Sequence, residues 1–210
     1  MSRRGVLLPF RRTGSELPAV ESTPVELGDE ALLAACAVGE SAALSELWER
    51  HHRSVFRLVS RLCSGPASDV EDLVQCTFIE VWKSASRFHG KGSVRSWIFG
   101  ISANLSRHYI RSEVRRRSAM DGLSERPVRS VPGPDESASQ SEMVGRLARA
   151  LDELSYEQRV AFVLCDIEEM SGVEAARTLG IRKGTLWRRL HDARKSLRSK
   201  LAAGDAHGPR

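Results

Sequence analysis

The chain has 210 residues, 41% of them hydrophobic and 28% charged, which is enough apolar mass for one large domain or two small ones and too much charge for a membrane protein. Its longest apolar run, Ala31 to Val38, falls far short of the ~20 residues that a spanning helix needs. The net charge of +5 is modest and excludes little, so the distribution of charge has to carry the functional argument.

Residues 1–25 mix Gly, Pro, Ser and Thr without periodicity and read as a disordered tail. Ser2-Arg3-Arg4 before Val6-Leu7-Leu8 resembles the start of an export signal, but Pro9 and Arg11-Arg12 cut the apolar stretch short. With no export signal and no span, the chain is expected to stay in the cytoplasm.

Asp29 opens a short helix through Leu32, Leu33 and Cys36 that ends near Gly39. Ser41 is expected to cap a longer helix with Leu44, Leu47, Trp48, Val55, Phe56, Val59 and Leu62 on its apolar face, stopping at Gly65-Pro66. Ser68-x-x-Glu71 has the form of a capping box and should start a third helix, whose apolar face is Leu73, Val74, Phe78, Ile79 and Trp82. The loop Phe88 to Gly92 breaks the pattern. Ser93 then caps a fourth helix with Val94, Trp97, Ile98, Ile101, Leu105 and Tyr109. Apolar recurrence every three to four residues is the amphipathic-helix signature.

From Ser118 to Ser139 the chain carries Pro127, Pro132 and Pro134 with Gly133 among polar residues. No helix survives that spacing of prolines, and a linker between two domains is expected. Beyond it come a helix from about Ser141 to Leu154, one capped by Ser155 through Val160 and Leu164, and one started by Ser171-x-x-Glu174 that ends at Leu179-Gly180. A longer helix follows from about Lys183 to Leu201. The four cysteines, Cys36, Cys63, Cys76 and Cys165, are scattered through apolar helical patterns. They are expected to be buried thiols, with no metal site.

Charge is segregated along this plan. From Arg177 to Lys200 there are nine Lys or Arg against Asp192, and from Glu142 to Glu174 eight acidic residues against three Arg. The first block repeats the theme: Asp69, Glu71 and Asp72 open its third helix, and from Lys91 to Arg117 seven basic residues face Glu113 alone. A charge run is ordinarily a solvated helix face. Two separate blocks that each end in a basic helix point instead to nucleic acid.

Ser171 to Leu190 fits a helix-turn-helix. Ala175, Ala176 and Leu179 line its first helix, Gly180 supplies the turn, and Leu186, Leu190, Ala193 and Leu197 line the buried face of its second. The second helix of such a motif enters the major groove with its N-terminal residues at the base edges. Here these are Arg182, Lys183, Thr185, Arg188 and Arg189. Arg and Lys reach guanine acceptors and Thr meets the thymine methyl, while Arg194, Lys195 and Arg198 suit phosphates. Trp187 is open between core packing, the favoured role, and contact with a sugar.

Three stretches together carry a family resemblance: Asp69-Val-Glu-Asp-Leu-Val-Gln75-Cys-Thr-Phe-Ile-Glu-Val-Trp82, Ser96-Trp-Ile-Phe-Gly-Ile-Ser-Ala-Asn104, and Leu179-Gly-Ile-Arg-Lys-Gly-Thr-Leu-Trp-Arg-Arg-Leu-His-Asp-Ala-Arg194. Over about residues 27–201 the chain resembles the extracytoplasmic-function (ECF) sigma factors of bacterial RNA polymerase. The resemblance implies an all-α fold of two small helical domains joined by a flexible linker. Its parts would be a tail at 1–25, sigma region 2 at 26–117, the linker at 118–140, sigma region 4 at 141–203 and a tail at 204–210. It implies a sigma factor that directs core polymerase to promoters, is restrained by an anti-sigma factor, and is no enzyme and needs no cofactor.

The same resemblance assigns Asp69, Asp72, Gln75 and Phe78 to polymerase binding, on the β′ clamp helices, with region 4 meeting the β flap. It gives Lys91, Arg95, Asn104, Arg107, His108 and Arg111 to the minus-ten element, and Arg182, Lys183, Thr185, Arg188, Arg189 and Arg194 to the minus-thirty-five element. Trp97 matches a family tryptophan, with a core role open beside a role in melting. The pattern is broken at Cys76, where the family often has Glu, and at Gly172-Val173 and Arg182-Lys183. The alternative is a stand-alone helix-turn-helix regulator of duplex DNA, which leaves the Asp69–Trp82 stretch unexplained. An enzyme with an appended DNA-binding domain would need a nucleophile, metal or phosphate-loop motif that the sequence lacks. A protein-binding helical adaptor would show no salt-dependent DNA affinity.

Overall fold

The computed structural model describes residues 27–119 and 138–205. The expected N-terminal tail, the proline-bearing part of the linker and residues 206–210 lie outside the described residues. The first helical unit comprises α1 (Asp29–Ala37), α2 (Ser41–Leu62), α3 (Ala67–Ser84), a 3-10 turn (Ala85–Arg87) and α4 (Val94–Ala119). The second comprises α5 (Ala138–Asp152), α6 (Tyr156–Phe162), a π-helical turn (Val163–Ile167), α7 (Gly172–Thr178) and α8 (Lys183–Asp205). No strand occurs among the described residues.

In α2 the buried residues Ala43, Leu47, His51, Val55, Leu58, Val59 and Leu62 recur at helical spacing and form one stripe against α1, α3 and α4. The start of α1 is tied to α2 by Asp29, which accepts from His51 Nε2 at 2.6 Å and from Arg50 Nη1 at 3.1 Å. Ser41 is the first residue of α2 and not its cap: Glu40 holds the cap position without a side-chain bond.

The capping box expected at Ser68 is not formed. Pro66 is the N-cap of α3, and Ser68 Oγ lies 3.3 Å from Asp69 Oδ1. Proline lacks an N–H and presets φ, so the helix starts right after it, and Ser68 already stands inside the first turn. The buried face of α3 is Val70, Leu73, Val74, Thr77, Phe78 and Val81. Ile79 was expected on that face but is 51% exposed, because the residue after Phe78 is turned about 100° away. In α4, Ser93 caps the helix as expected, its Oγ accepting from Ser96 N at 3.1 Å. Phe99, which the periodicity passed over, is fully buried.

In the second unit, Ser155 and Gln158 close a complete capping box on α6. At α7 only half of the expected box forms: Ser171 Oγ accepts from Glu174 N at 3.2 Å, while the Glu174 carboxylate turns to Ser93 of the first unit. Gly180 turns the chain at φ 64, and Leu186, Leu190, Ala193 and Leu197 of α8 are buried as expected. Cys36 and Cys63 are buried and Cys165 is partly so, but Cys76 is exposed, contrary to expectation. Its neighbours Gln75 and Ile79 are exposed as well, so it stands on the outer face of α3.

The two units are packed together. One apolar core runs from Leu32 through α4 and on to Val160, Leu164, Ala176 and Leu186. The buried Arg159 crosses the joint, donating to Leu62 O at 2.9 Å and Ser64 Oγ at 3.3 Å. Tyr156 Oη donates to Ala103 O at 2.5 Å. Helices α4 and α7 touch almost backbone to backbone: a Cβ on Gly100 would stand 3.0 Å from the Thr178 carbonyl oxygen.

Candidate nucleic-acid and protein interfaces

Helices α7 and α8 form the helix-turn-helix. Ala175 and Ala176 are buried at its crossing, where their small side chains let the helices approach. At the N-terminal turns of α8, Arg182, Lys183 and Arg188 are exposed, and Thr185 and Arg189 are partly so. Arg194 is also exposed, but Asp166 engages it through both carboxylate oxygens, at 2.9 Å and 2.5 Å. Trp187 is 52% exposed. Its ring lies over Gly172, where a Cβ would come within 2.6 Å of Cζ2, so the indole packs on one face and is open on the other. With His191, Lys195 and Arg198 it lines a shallow groove along α8.

On the first unit, Asn104, Arg107, His108 and Arg111 recur at helical spacing and share one side of α4. Asn104, His108 and Arg111 are exposed, whereas Arg107 Nη2 pairs with Glu157 Oε1 at 3.2 Å. Phe88 meets the half-buried Trp97 edge-on at 5.6 Å between ring centroids, which gives Trp97 a packing role. Gly90 and Gly92 hold positive φ in the adjoining loop. Lys91 is exposed, and its carbonyl accepts from Arg177 Nη1 at 3.1 Å. Arg95 lies over the Phe99 ring at 4.5 Å and pairs with Glu168 Oε2 at 2.6 Å.

Helix α3 presents a different surface. Asp72, Gln75, Cys76 and Ile79 are all exposed and follow one stripe. Nothing in the apolar pattern distinguishes Ile79 from a core residue, so only the structure adds it to that stripe. Asp69 is half-buried and accepts from Tyr109 Oη of α4, which joins the two helices. Burial, with Asp69 as acceptor, pushes the Tyr109 hydroxyl far above its ordinary value. Phe78 does not reach the surface. It is 3% exposed and its ring lies 4.8 Å from that of Trp48, so it belongs to the core. Among the described residues no cluster of His, Cys, Asp or Glu could hold a metal, and no helix is long and apolar enough to cross a membrane.

Residues 47–116 match the family model of sigma-70 region 2, and residues 145–197 match that of sigma-70 region 4. The chain is 32% identical over 172 residues to the ECF RNA polymerase sigma factor SigM of Mycobacterium tuberculosis, covering 82% of this chain and 84% of SigM. The chain belongs to the ECF sigma factors. This sigma factor is also 39% identical over 172 residues to SigE of Mycolicibacterium smegmatis, across 79% of its own length and 65% of that of SigE, so it spans just under two thirds of that relative. Among solved structures it resembles CnrH in complex with the cytosolic domain of CnrY, with a TM-score of 0.62 and 28% identity over 83% of this chain and 97% of that one. It also resembles RpoE in complex with the anti-sigma factor NepR from Bartonella quintana, with a TM-score of 0.65 and 25% identity over 75% and 96%. As a sigma factor it is a transcription-initiation factor and not an enzyme. Its all-α fold of two helical units is the expected one.

Proposed function

We propose that this sigma factor brings core RNA polymerase to promoters through three surfaces. Region 2 is taken as residues 26–117 and region 4 as 141–203, on either side of a linker at 118–140. The observation that carries the reading is a chemical division of labour. An exposed acidic and amide stripe on α3 and an exposed basic helix start on α8 lie on different units.

Asp72 and Gln75 of that stripe, with Ile79 beside them, face the polymerase β′ clamp helices; Asp69 supports them from its bond to Tyr109. Phe78 is withdrawn from this surface because it is buried. Asn104, Arg107, His108 and Arg111, with Lys91 and Arg95, serve the minus-ten element, where capture of unstacked bases needs a positive groove. Arg182, Lys183, Thr185, Arg188 and Arg189 read the minus-thirty-five duplex, and Arg194 follows on the backbone. Region 4 also meets the β flap. The factor acts in the cytoplasm, where its polymerase is. An anti-sigma factor restrains it, a reading supported by the solved neighbour RpoE, which is in complex with NepR.

Run-off transcription with core polymerase on a promoter library tests the proposal. New start sites that vanish with Asp72→Ala or Arg188→Ala are expected. DNA binding that is equal with and without polymerase, with no new starts, would leave the stand-alone regulator as the account.

A further inference from the structure

Helices α2 and α3 leave a groove of about 470 Å³ between them, lined by Trp48, His52 and Phe56 of α2 and by Val74 and Gln75 of α3. The Trp48 and His52 rings stack with centroids 5.5 Å apart and 6° between their planes. Trp48, His52 and Phe56 are each half-buried, so part of every ring is left for another element to cover. One wall of the groove is basic. Arg53 and Arg57 line it and are exposed, and with Arg50 they follow one face of α2 at i, i+3 and i+7. The ion pairs of this stretch are made by Arg50, His51 and Arg61; Arg53 and Arg57 make none among the described residues. Glu71 stands on the α3 side.

The described chain starts against this same helix. The Leu27 carbonyl accepts from Arg50 Nη1 at 2.8 Å, so the residues before Leu27 are delivered about one turn of α2 from Arg53. Residues 16–26 read Glu-Leu-Pro-Ala-Val-Glu-Ser-Thr-Pro-Val-Glu, three glutamates with no Lys or Arg. Pro18 and Pro24 favour an extended or polyproline backbone at themselves and at the residue before each. That is the form in which proline-bearing segments dock on aromatic-lined grooves. Seven extended residues, Val20 to Glu26, cover about 23 Å. Half the circumference of a helix with its side chains is roughly 17 Å, so Val20 and Leu17 can reach the groove while the glutamates pass over the arginine row. Val6 to Phe10 is more apolar, but Arg3-Arg4 and Arg11-Arg12 flank it, and Arg53 and Arg57 would repel them. A segment tethered this closely acts at an effective concentration on the order of mM, which no separate peptide of the same chemistry would match.

We infer that residues 16–26 of this chain occupy the groove between α2 and α3, with Leu17 and Val20 against Trp48 and Phe56 and with Glu16 and Glu21 paired to Arg53 and Arg57. Gln75 belongs both to the groove and to the stripe assigned to the clamp helices, but the docking stands without that assignment.

The test is photo-crosslinking of the full chain, alone in solution, with p-benzoylphenylalanine in place of Val20 and the products mapped by mass spectrometry. Intramolecular crosslinks are expected within 48–57 of α2 and 71–75 of α3. The double substitution Arg53→Glu with Arg57→Glu reverses the charge of the wall at two exposed positions, and circular dichroism checks that the helices are retained. It should cut the groove crosslinks about fivefold or more, since two attractions become two repulsions. Adding Glu16→Lys, Glu21→Lys and Glu26→Lys to that variant should restore them. The restoration matters because an apolar label drawn to aromatic rings by itself would ignore both charge changes.

Crosslinks scattered over the surface, or groove crosslinks that survive the arginine reversal unchanged, would overturn the inference. So would a loss on reversal that the lysine substitutions do not repair. Crosslinks that join two chains at this groove would give it to a second copy and overturn the intramolecular docking. No crosslink at the groove in the parent chain would leave the rings to an occupant other than residues 16–26, and would overturn it as well.

Discussion

Tyr109 and Arg188 show how differently single side chains act in this molecule. The Tyr109 hydroxyl, partly desolvated and donating to Asp69, has its ionisation pushed far above the ordinary value of about 10. The fold favours the neutral phenol. Its stabilising contribution is therefore fully present below pH of about 10, and is lost as pH rises from there toward the folded-state value. Tyr109→Phe should cost on the order of 1 kcal/mol at neutral pH by loss of the hydrogen bond. It should also flatten part of the alkaline loss of stability, as measured by urea unfolding across a pH series. Arg188 is exposed at the start of α8 with no packing duty. Arg188→Ala should leave stability within about 0.5 kcal/mol while costing about 1–3 kcal/mol of promoter discrimination, read by competition between duplex sites for the holoenzyme. The exposure of Arg188 was legible in the sequence, because a charged residue off the apolar face of a helix needs no tertiary information to be placed in solvent. Phe78 was not, since an aromatic in a binding motif and an aromatic in a core look alike until burial is known.

At the scale of the element, what the sequence revealed follows the physics of each signal. The long helices α2 and α4 follow from apolar recurrence, and the cap of α6 from Ser155. The start of α3 was misread because Pro66 outranks Ser68 as a helix initiator. The π turn had no signal at all, since one extra residue in a turn leaves composition unchanged. Helix α3 also shows why a stripe matters more than its members. Asp72, Gln75 and Cys76 read as one surface, and Ile79 completes it with an apolar patch. Ile79→Ala should weaken binding to core polymerase by about 1–2 kcal/mol, the scale of losing a contact-buried aliphatic group, while thermal stability barely changes. Titration of labelled protein with core polymerase checks the first part and calorimetry the second.

At the scale of the whole molecule, the sequence divides the chain into two units and the structure joins them. The joint is made by pairs far apart in sequence, such as Arg159 with Leu62 at a separation of 97 residues, and periodicity carries no information about such pairs. Because one apolar core extends across both units, thermal unfolding of the free protein should be a single cooperative transition with matching calorimetric and van't Hoff enthalpies. Two resolved transitions in low salt would contradict that continuity.

Arg61 and Glu168 are separated by 107 residues, and that distance acquires a meaning while the chain is being made. At a synthesis rate of roughly 5–20 residues per second, α2 leaves the ribosome on the order of 5–20 s before the glutamate that will pair with it. During that interval the emerging N-terminal helices carry their basic face bare. A translational pause, or a truncation after α4, would lengthen the interval or make it permanent. The newborn N-terminal helices thus lack the carboxylate partners of Arg61, Arg95 and Arg107 until the last third of the chain has been made.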